Sequence, residues 1–88
     1  MERVEDIELC RIADAKVKEK VMFLLIRHRV PYAERWDEVP LLKRGKYHGA
    51  KEVCVVLTHP EHRKEAIEII QGMDKEIQSQ IILPEDEK

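Results

Sequence analysis

The chain has 88 residues, 43% of them hydrophobic and 39% charged, and a formal net charge of −2. Its length predicts one domain with a thin core, its composition excludes a disordered protein, and its charge excludes a general attraction to nucleic acid or to an anionic membrane surface. Apolar runs are shorter than the roughly 18 residues of a membrane span, and residues 1–6 are mostly charged, unlike a signal peptide, so we expect a cytoplasmic protein.

The first two elements are a strand and a helix. Residues 7–12 predict a strand with apolar side chains on both faces. Asp14 is placed to cap the helix that follows, which Pro31 ends. Helical spacing places Val17, Val21, Leu24, Leu25 and His28 on one stripe of this helix, with Met22 and Ile26 on its flank. Phe23 lies on the other side with lysines and an arginine, which is ordinary for a lone aromatic residue and leaves a partner contact as the alternative.

The next two runs predict two unequal strands. Residues 32–36 alternate weakly and carry charge, which is typical of an edge strand. Val53 to Leu57 is apolar at every position, as expected for a central strand that is covered on both faces. Cys10 and Cys54 each fall within an apolar run, so we expect buried free thiols and no disulfide.

The last third of the chain predicts a second helix and a final strand. Thr58 and Glu61 have the spacing of a capping box, which marks the start of a helix. Its inner stripe would comprise His62, Ala66, Ile69, Ile70 and Met73. Residues 77–83 predict a fourth strand; because Gly72 alone does not force the helix to stop, a continued helix is the alternative.

This order of elements predicts the fold class. Strand, helix, two strands, helix and strand are the layout of an α+β, ferredoxin-like βαββαβ two-layer sandwich, with an antiparallel sheet in the order 4-1-3-2 and both helices on one face. Residues 1–83 would form this single domain, and 84–88 an acidic flexible tail. The uncovered face of the sheet would be apolar, so we expect a homo-oligomer, a dimer or trimer, that packs through the sheet face. A monomer whose long side chains cover that face is the alternative.

The connection between the second and third strands, residues 37–51, is the best candidate site. It is long for so small a domain, and such loops are more often functional or disordered than merely connecting. The residues expected to bind a ligand or partner are Lys43, Arg44, Lys46, Tyr47, His48 and Lys51. The start of the first helix lies at the same end of the fold, so a phosphate or carboxylate ligand is reasonable. A mobile hairpin extension is the alternative.

Within this connection, Tyr47-His48-Gly49-Ala50 and the order of elements resemble the PII-like nitrogen-regulatory signalling proteins. Their flexible loop carries a Tyr-x-Gly-Ala or Tyr-x-Gly-Ser stretch. The resemblance implies a trimer with its sheets packed inward, adenine nucleotides bound between subunits, and a loop that grips a target protein. Lys51 and Glu52 stand where the family has an acidic residue and a second tyrosine.

The possible function classes can be compared by the residue types that each of them requires. The central strand lacks the aromatic residues of an RNA-recognition module, and the chain has no asparagine for acylphosphatase-like chemistry. We therefore expect a small regulatory or ligand-sensing domain that contacts a partner protein or an anionic metabolite, without catalysis, cofactor or resident metal. The alternative is a metal-binding or metal-assisted enzyme at a cluster of His28, His59 and His62, which the topology brings to one end of the fold.

Overall fold

A computed structural model of the chain describes residues 6–47 and 49–84. The elements, in chain order, are β1 (Ile7–Ile12), α1 (Ala15–Arg27), β2 (Tyr32–Glu38), a 3₁₀ helix (Leu41–Tyr47), β3 (Glu52–Thr58), a 3₁₀ turn (Pro60–His62), α2 (Arg63–Gln71), α3 (Lys75–Gln78) and β4 (Ile81–Ile82). The 3₁₀ helix at Leu41–Tyr47 is called the connecting helix. In the described ranges, every helix is too short or too polar to cross a membrane.

The four strands form one sheet in the order β2-β3-β1-β4, and each neighbouring pair is antiparallel. Counted from the opposite edge, this order reads β4-β1-β3-β2. The two most apolar strands, β1 and β3, occupy the centre, and the charged β2 and the two-residue β4 lie at the edges, where unpaired backbone groups meet water. The fold is thus α+β with a four-stranded antiparallel sheet and helices, consistent with a ferredoxin-like class.

The main core lies between the sheet and the helices. Buried side chains of α1 and α2 pack there against β1 and β3; they include Val17, Val21, Leu25, Ala66 and Ile70 from the helices and Cys10, Ile12, Cys54 and Val56 from the strands. Both cysteines are buried free thiols, which confirms the prediction made for them. Asp14 caps α1 as predicted, because its carboxylate accepts hydrogen bonds from the amides of Lys16 at 2.8 Å and Val17 at 3.2 Å.

The end of α1 is a Schellman motif, which the sequence pattern does not predict. The Arg29 amide donates to the Ile26 carbonyl at 3.0 Å, and the Val30 amide donates to the Leu25 carbonyl at 2.8 Å. Arg29 has a φ of 57°, the left-handed conformation that glycine normally provides at this position. Pro31 then prevents any return to helix.

Replacing Arg29 with glycine is expected to stabilise the fold. The left-handed backbone costs a residue with a Cβ about 1 to 2 kcal/mol, and glycine loses part of that gain through greater freedom in the unfolded chain. We expect Arg29→Gly to raise the free energy of unfolding by about 0.5 to 1 kcal/mol in urea titrations. Arg27→Gly, inside the last turn of α1, is the matched control and should lower it by about 1 kcal/mol. Equal losses in both variants would contradict this explanation.

The predicted capping box at the start of the second helix is wrong. Thr58 belongs to β3, and its fully buried hydroxyl donates to the carbonyl of Pro31 at 2.8 Å, which ties the end of β3 to the start of β2. The cap is supplied instead by His59, whose Nδ1 accepts from the Glu61 amide at 3.3 Å. The helix proper therefore begins only at Arg63, after the 3₁₀ turn.

The C-terminal third combines the two expectations for residues 77–83. α2 ends at Gly72, a second short helix covers Lys75–Gln78, and only Ile81–Ile82 forms a strand. The amide Nε2 of Gln78 donates to the carbonyls of Gln71 at 3.1 Å and Met73 at 2.6 Å, so it supplies partners to the end of α2. The predicted tail at 84–88 lies, apart from Pro84, outside the described residues.

The sheet face opposite the helices is called the open face, and around Val55 it carries long charged side chains. Val55 lies on this face and is fully buried. Its neighbours on the adjacent strands are Arg11 and Arg35, whose side chains lie beside it on the same face. Arg11 pairs with Glu8 at 2.9 Å, and Arg35 with Asp37 at 2.8 Å; the hydrogen bond from Arg35 holds the pKa of the Asp37 carboxyl below its ordinary value. An apolar open face was the expected reason for oligomerisation. At Val55 this reason is missing, because the aliphatic stems of the two arginines cover the side chain within one copy.

Candidate functional site

The connection between β2 and β3 is a folded segment rather than a long loop. β2 extends to Glu38 and β3 begins at Glu52, so the connection spans residues 39–51 and not 37–51 as predicted. The Val39 amide donates to the Lys51 carbonyl at 2.8 Å and closes the base of the segment. Within it, the Lys43 amide donates to the Pro40 carbonyl at 2.8 Å. The described part of the connection is mostly 3₁₀ helix, and a mobile hairpin extension stays a prediction.

A second, smaller core holds the connecting helix against the open face. Val39, Tyr47 and Val53 are 2%, 5% and 1% exposed and pack together, with Ala13, Ala50 and Ile82 around them. The Tyr47 ring is therefore a structural anchor of the connecting helix; that it also contacts a ligand or partner stays a prediction. The Nζ of Lys46 lies 5.9 Å from the centre of this ring, a favourable cation–π arrangement.

A pocket of about 520 Å³ opens beside the connecting helix on the open face, and it is called the connection pocket. Its lining combines cationic and apolar side chains with one carboxylate; it comprises Arg11, Glu38, Val39, Pro40, Leu42, Lys43, Lys46, Tyr47 and Val53. Lys43 and Lys46 are spaced three residues apart, and because side chains three apart eclipse in a 3₁₀ helix, both meet the same pocket. The pocket can therefore surround an anion with positive charge.

Arg11 is the residue of this site that sequence reasoning missed. The salt bridge to Glu8 holds its guanidinium on the open face, where it lines the pocket with the two lysines although it is more than thirty positions away from them. A usable signal was present: Arg11 interrupts the apolar run of β1 between Cys10 and Ile12, and strand alternation places it on the face opposite to theirs.

The other predicted site residues do not line the connection pocket. The Nε of Arg44 donates to the Val39 carbonyl at 3.2 Å, so this side chain supports the segment. Arg44 and Lys51 instead line a shallow pocket of about 410 Å³ together with Glu38 and Glu52, whose carboxylates balance the positive charge. His48 lies outside the described residues.

The start of α1 does not offer the free amides that an anion would need. The carboxylate of Asp14 already accepts from the first-turn amides of Lys16 and Val17. An anion at this position would face a negative charge at close range. The expected contribution of the helix N-terminus to the site is therefore wrong, and the attraction for an anion comes from side chains alone.

The predicted histidine cluster does not form a metal centre in the part of the chain that the structure describes. Among those residues, no group of three histidine, cysteine, aspartate or glutamate side chains is placed to hold a metal ion. The rings of His59 and His62 lie 6.4 Å apart, and His59 acts as a cap. His28 is exposed and lines a separate groove with Glu65 and Glu68. The topology brought these elements to one end of the fold but turned the side chains differently.

The chain matches no protein-family model, no curated protein and no solved structure. A function therefore has to be argued from the residues of the connection pocket and its surroundings.

Proposed function

We propose that this protein is a small regulatory domain that senses an anionic metabolite, which binds in the connection pocket. The observation that carries the proposal is the convergence of Arg11, Lys43 and Lys46 from two distant segments on one pocket. Among the described residues, the pocket lining holds three cations and the carboxylate of Glu38, and Glu8 pairs with Arg11 beside it; one net positive charge remains, although the chain as a whole has a net charge of −2. A local excess of this kind attracts phosphate or carboxylate groups.

The size and walls of the pocket narrow the ligand class. A volume of about 520 Å³ lies within the usual range for small-molecule sites and is large for an inorganic ion alone. Val39, Pro40 and Leu42 supply apolar wall beside the cations. The pocket therefore suits an organic anion that has an apolar or aromatic body, such as an adenine nucleotide or a polycarboxylate with a carbon skeleton.

We also propose that the connecting helix contacts a partner protein. Leu41 is 75% exposed and Leu42 is 99% exposed, at the tip of the segment that borders the pocket. Two adjacent exposed leucines flanked by cations favour a protein contact that the bound anion would modulate. A loop that grips a target protein is also what the resemblance to the PII-like proteins implies; the sheet-mediated oligomer expected from the sequence stays a prediction.

A thermal-shift and calorimetric titration with ATP, ADP and citrate tests the metabolite site. A ligand that binds only the folded state raises the melting temperature, so at least one probe should do so. In Lys43→Ala/Lys46→Ala the affinity should fall about tenfold or more, because charged hydrogen bonds are worth about 1.5 to 3 kcal/mol. The affinity of the unmodified protein should also weaken as salt is raised.

The matched control is Lys64→Ala/Lys75→Ala, which removes two exposed lysines from α2 and α3 and leaves the net charge equal to that of the test variant. Arg11→Gln keeps most of the side-chain stem over Val55 and removes the charge, so it should weaken binding without unfolding the sheet. Equal loss in the control pair, or no response to any probe at millimolar concentration, would refute the metabolite site.

A further inference from the structure

A second cavity lies on the helical side of the sheet, and its lining shares no residue with the connection pocket. It is a groove of about 800 Å³ between α1 and the corner where α2 turns into α3. Its apolar lining is made by Phe23 and Leu24 from α1 and by Met73 and Ile77 from the corner. A lone exposed apolar residue is common, but here the exposed Phe23 borders a groove together with three partly buried apolar side chains, which makes a defined surface.

Two large apolar side chains of α1 are exposed to solvent. Phe23 is 61% exposed and Ile26 is 62% exposed, and they lie three positions apart, which places them next to each other along one face of the helix. Neither belongs to the main core. Phe23 therefore protrudes at the edge of the groove, and Ile26, which does not line it, extends the exposed apolar surface of α1 by one turn.

The charges on the two rims of the groove are of opposite sign. The α1 rim carries Lys16 and Lys20 with Glu19 between them, and the corner rim carries Asp74. A surface that has a knob, a groove and oppositely charged rims is complementary to itself. In a two-fold arrangement each contact occurs twice, so such a surface suits a symmetric pair better than an unrelated partner.

We propose that a second copy of this chain docks here, in a two-fold dimer in which Phe23 of each copy enters the groove of the other. Lys20 of one copy would then face Asp74 of its partner, twice per dimer. The open face does not compete strongly for this role, since Val55 is already buried there within one copy. The proposal is independent of the connection pocket, whose lining shares no residue with the groove.

Sedimentation equilibrium of the full chain over about 10 to 500 µM tests the dimer. The unmodified chain should associate, and Phe23→Asp should raise the dissociation constant about tenfold or more, as loss of a central aromatic anchor does. Leu42→Asp is the matched control, because it places the same charge on an apolar site of the connecting helix that is also exposed, 99% against 61% for Phe23. It should leave the dissociation constant unchanged, and circular dichroism should show that both variants are folded.

Charge-reversal variants test how the two copies are oriented in the dimer. Lys20→Glu and Asp74→Lys should each weaken association, and the double variant should restore it, because both pairs re-form with reversed sign. A monomer at every concentration overturns the proposal and leaves the groove to a different chain. Association that Leu42→Asp abolishes and Phe23→Asp does not would place the interface on the connecting helix and overturn it as well. Failure of anion binding in the connection pocket would leave it unaffected.

Discussion

Leu25→Ala is expected to lower the free energy of unfolding by about 2 to 5 kcal/mol. Leu25 is 0% exposed and packs in the main core between α1 and the sheet. Truncation removes the transfer free energy of the side chain and leaves a cavity that the surrounding strands can close only in part. A domain of this size has a total stability of only about 5 to 10 kcal/mol, so the variant should melt at a markedly lower temperature.

Urea titration followed by circular dichroism measures this loss, and Leu42→Ala is its matched control. Leu42 is 99% exposed, so the same truncation there should change the free energy of unfolding by less than about 0.5 kcal/mol. The contrast depends only on the burial of the two leucines, since the chemical change is identical. A loss at Leu42 comparable to that at Leu25 would mean that the Leu42 side chain is packed against protein rather than exposed to solvent.

The second large effect is a fall in stability at high pH that Cys10 causes. Burial raises the pKa of the Cys10 thiol from its ordinary value of 9.0 to about 12, and the nearby Cys54 and Glu8 add to the shift. Below pH 9.0 the thiol is neutral in both the folded and the unfolded chain, so it contributes no pH dependence. Above that pH the unfolded chain loses its proton first, which favours unfolding by about 1.4 kcal/mol per pH unit until pH approaches the folded pKa.

Stability measured from pH 7 to 11 in the unmodified chain and in Cys10→Ala isolates this contribution, because lysines and tyrosines titrate alike in both. The difference in free energy of unfolding between the two proteins should be constant below about pH 9 and should then shift in favour of Cys10→Ala. Burial also raises the pKa of Cys54, so Cys54→Ala should show a shift in the same direction. A parallel pH dependence in all three proteins would show that the thiols ionise as readily in the folded chain.

The candidate site shows how far residue type and position carry a prediction. The positive charge of the connection was evident from Lys43 and Lys46, and both line the pocket. Arg44 and Lys51 share the same stretch and were assigned the same role, yet Arg44 donates to a backbone carbonyl and Lys51 lies among carboxylates. Tyr47 lines the pocket with a ring that is mostly buried. Which side of a 3₁₀ helix faces a sheet depends on packing against Val53, and no local pattern of the connection contains that information.

The prediction for the start of the second helix failed for the same reason. Thr58 and Glu61 have capping-box spacing, but the strong apolar run before them continues β3 through Thr58, and its hydroxyl then finds the Pro31 carbonyl from a segment 27 positions away. The three histidines illustrate the matter again, because meeting at one end of a fold does not aim their rings at one point.

Local sequence by itself determined the elements whose driving forces are local or periodic. The apolar run of β1, the Asp14 cap with the amphipathic stripe of α1, and the helix-ending Pro31 need only near neighbours to take effect. Tertiary structure alone decided how the open face is covered, which residues join the connection pocket, and that Phe23 borders a groove. These features arise where segments far apart in the chain meet, and the free energy that orients their side chains comes from those distant contacts.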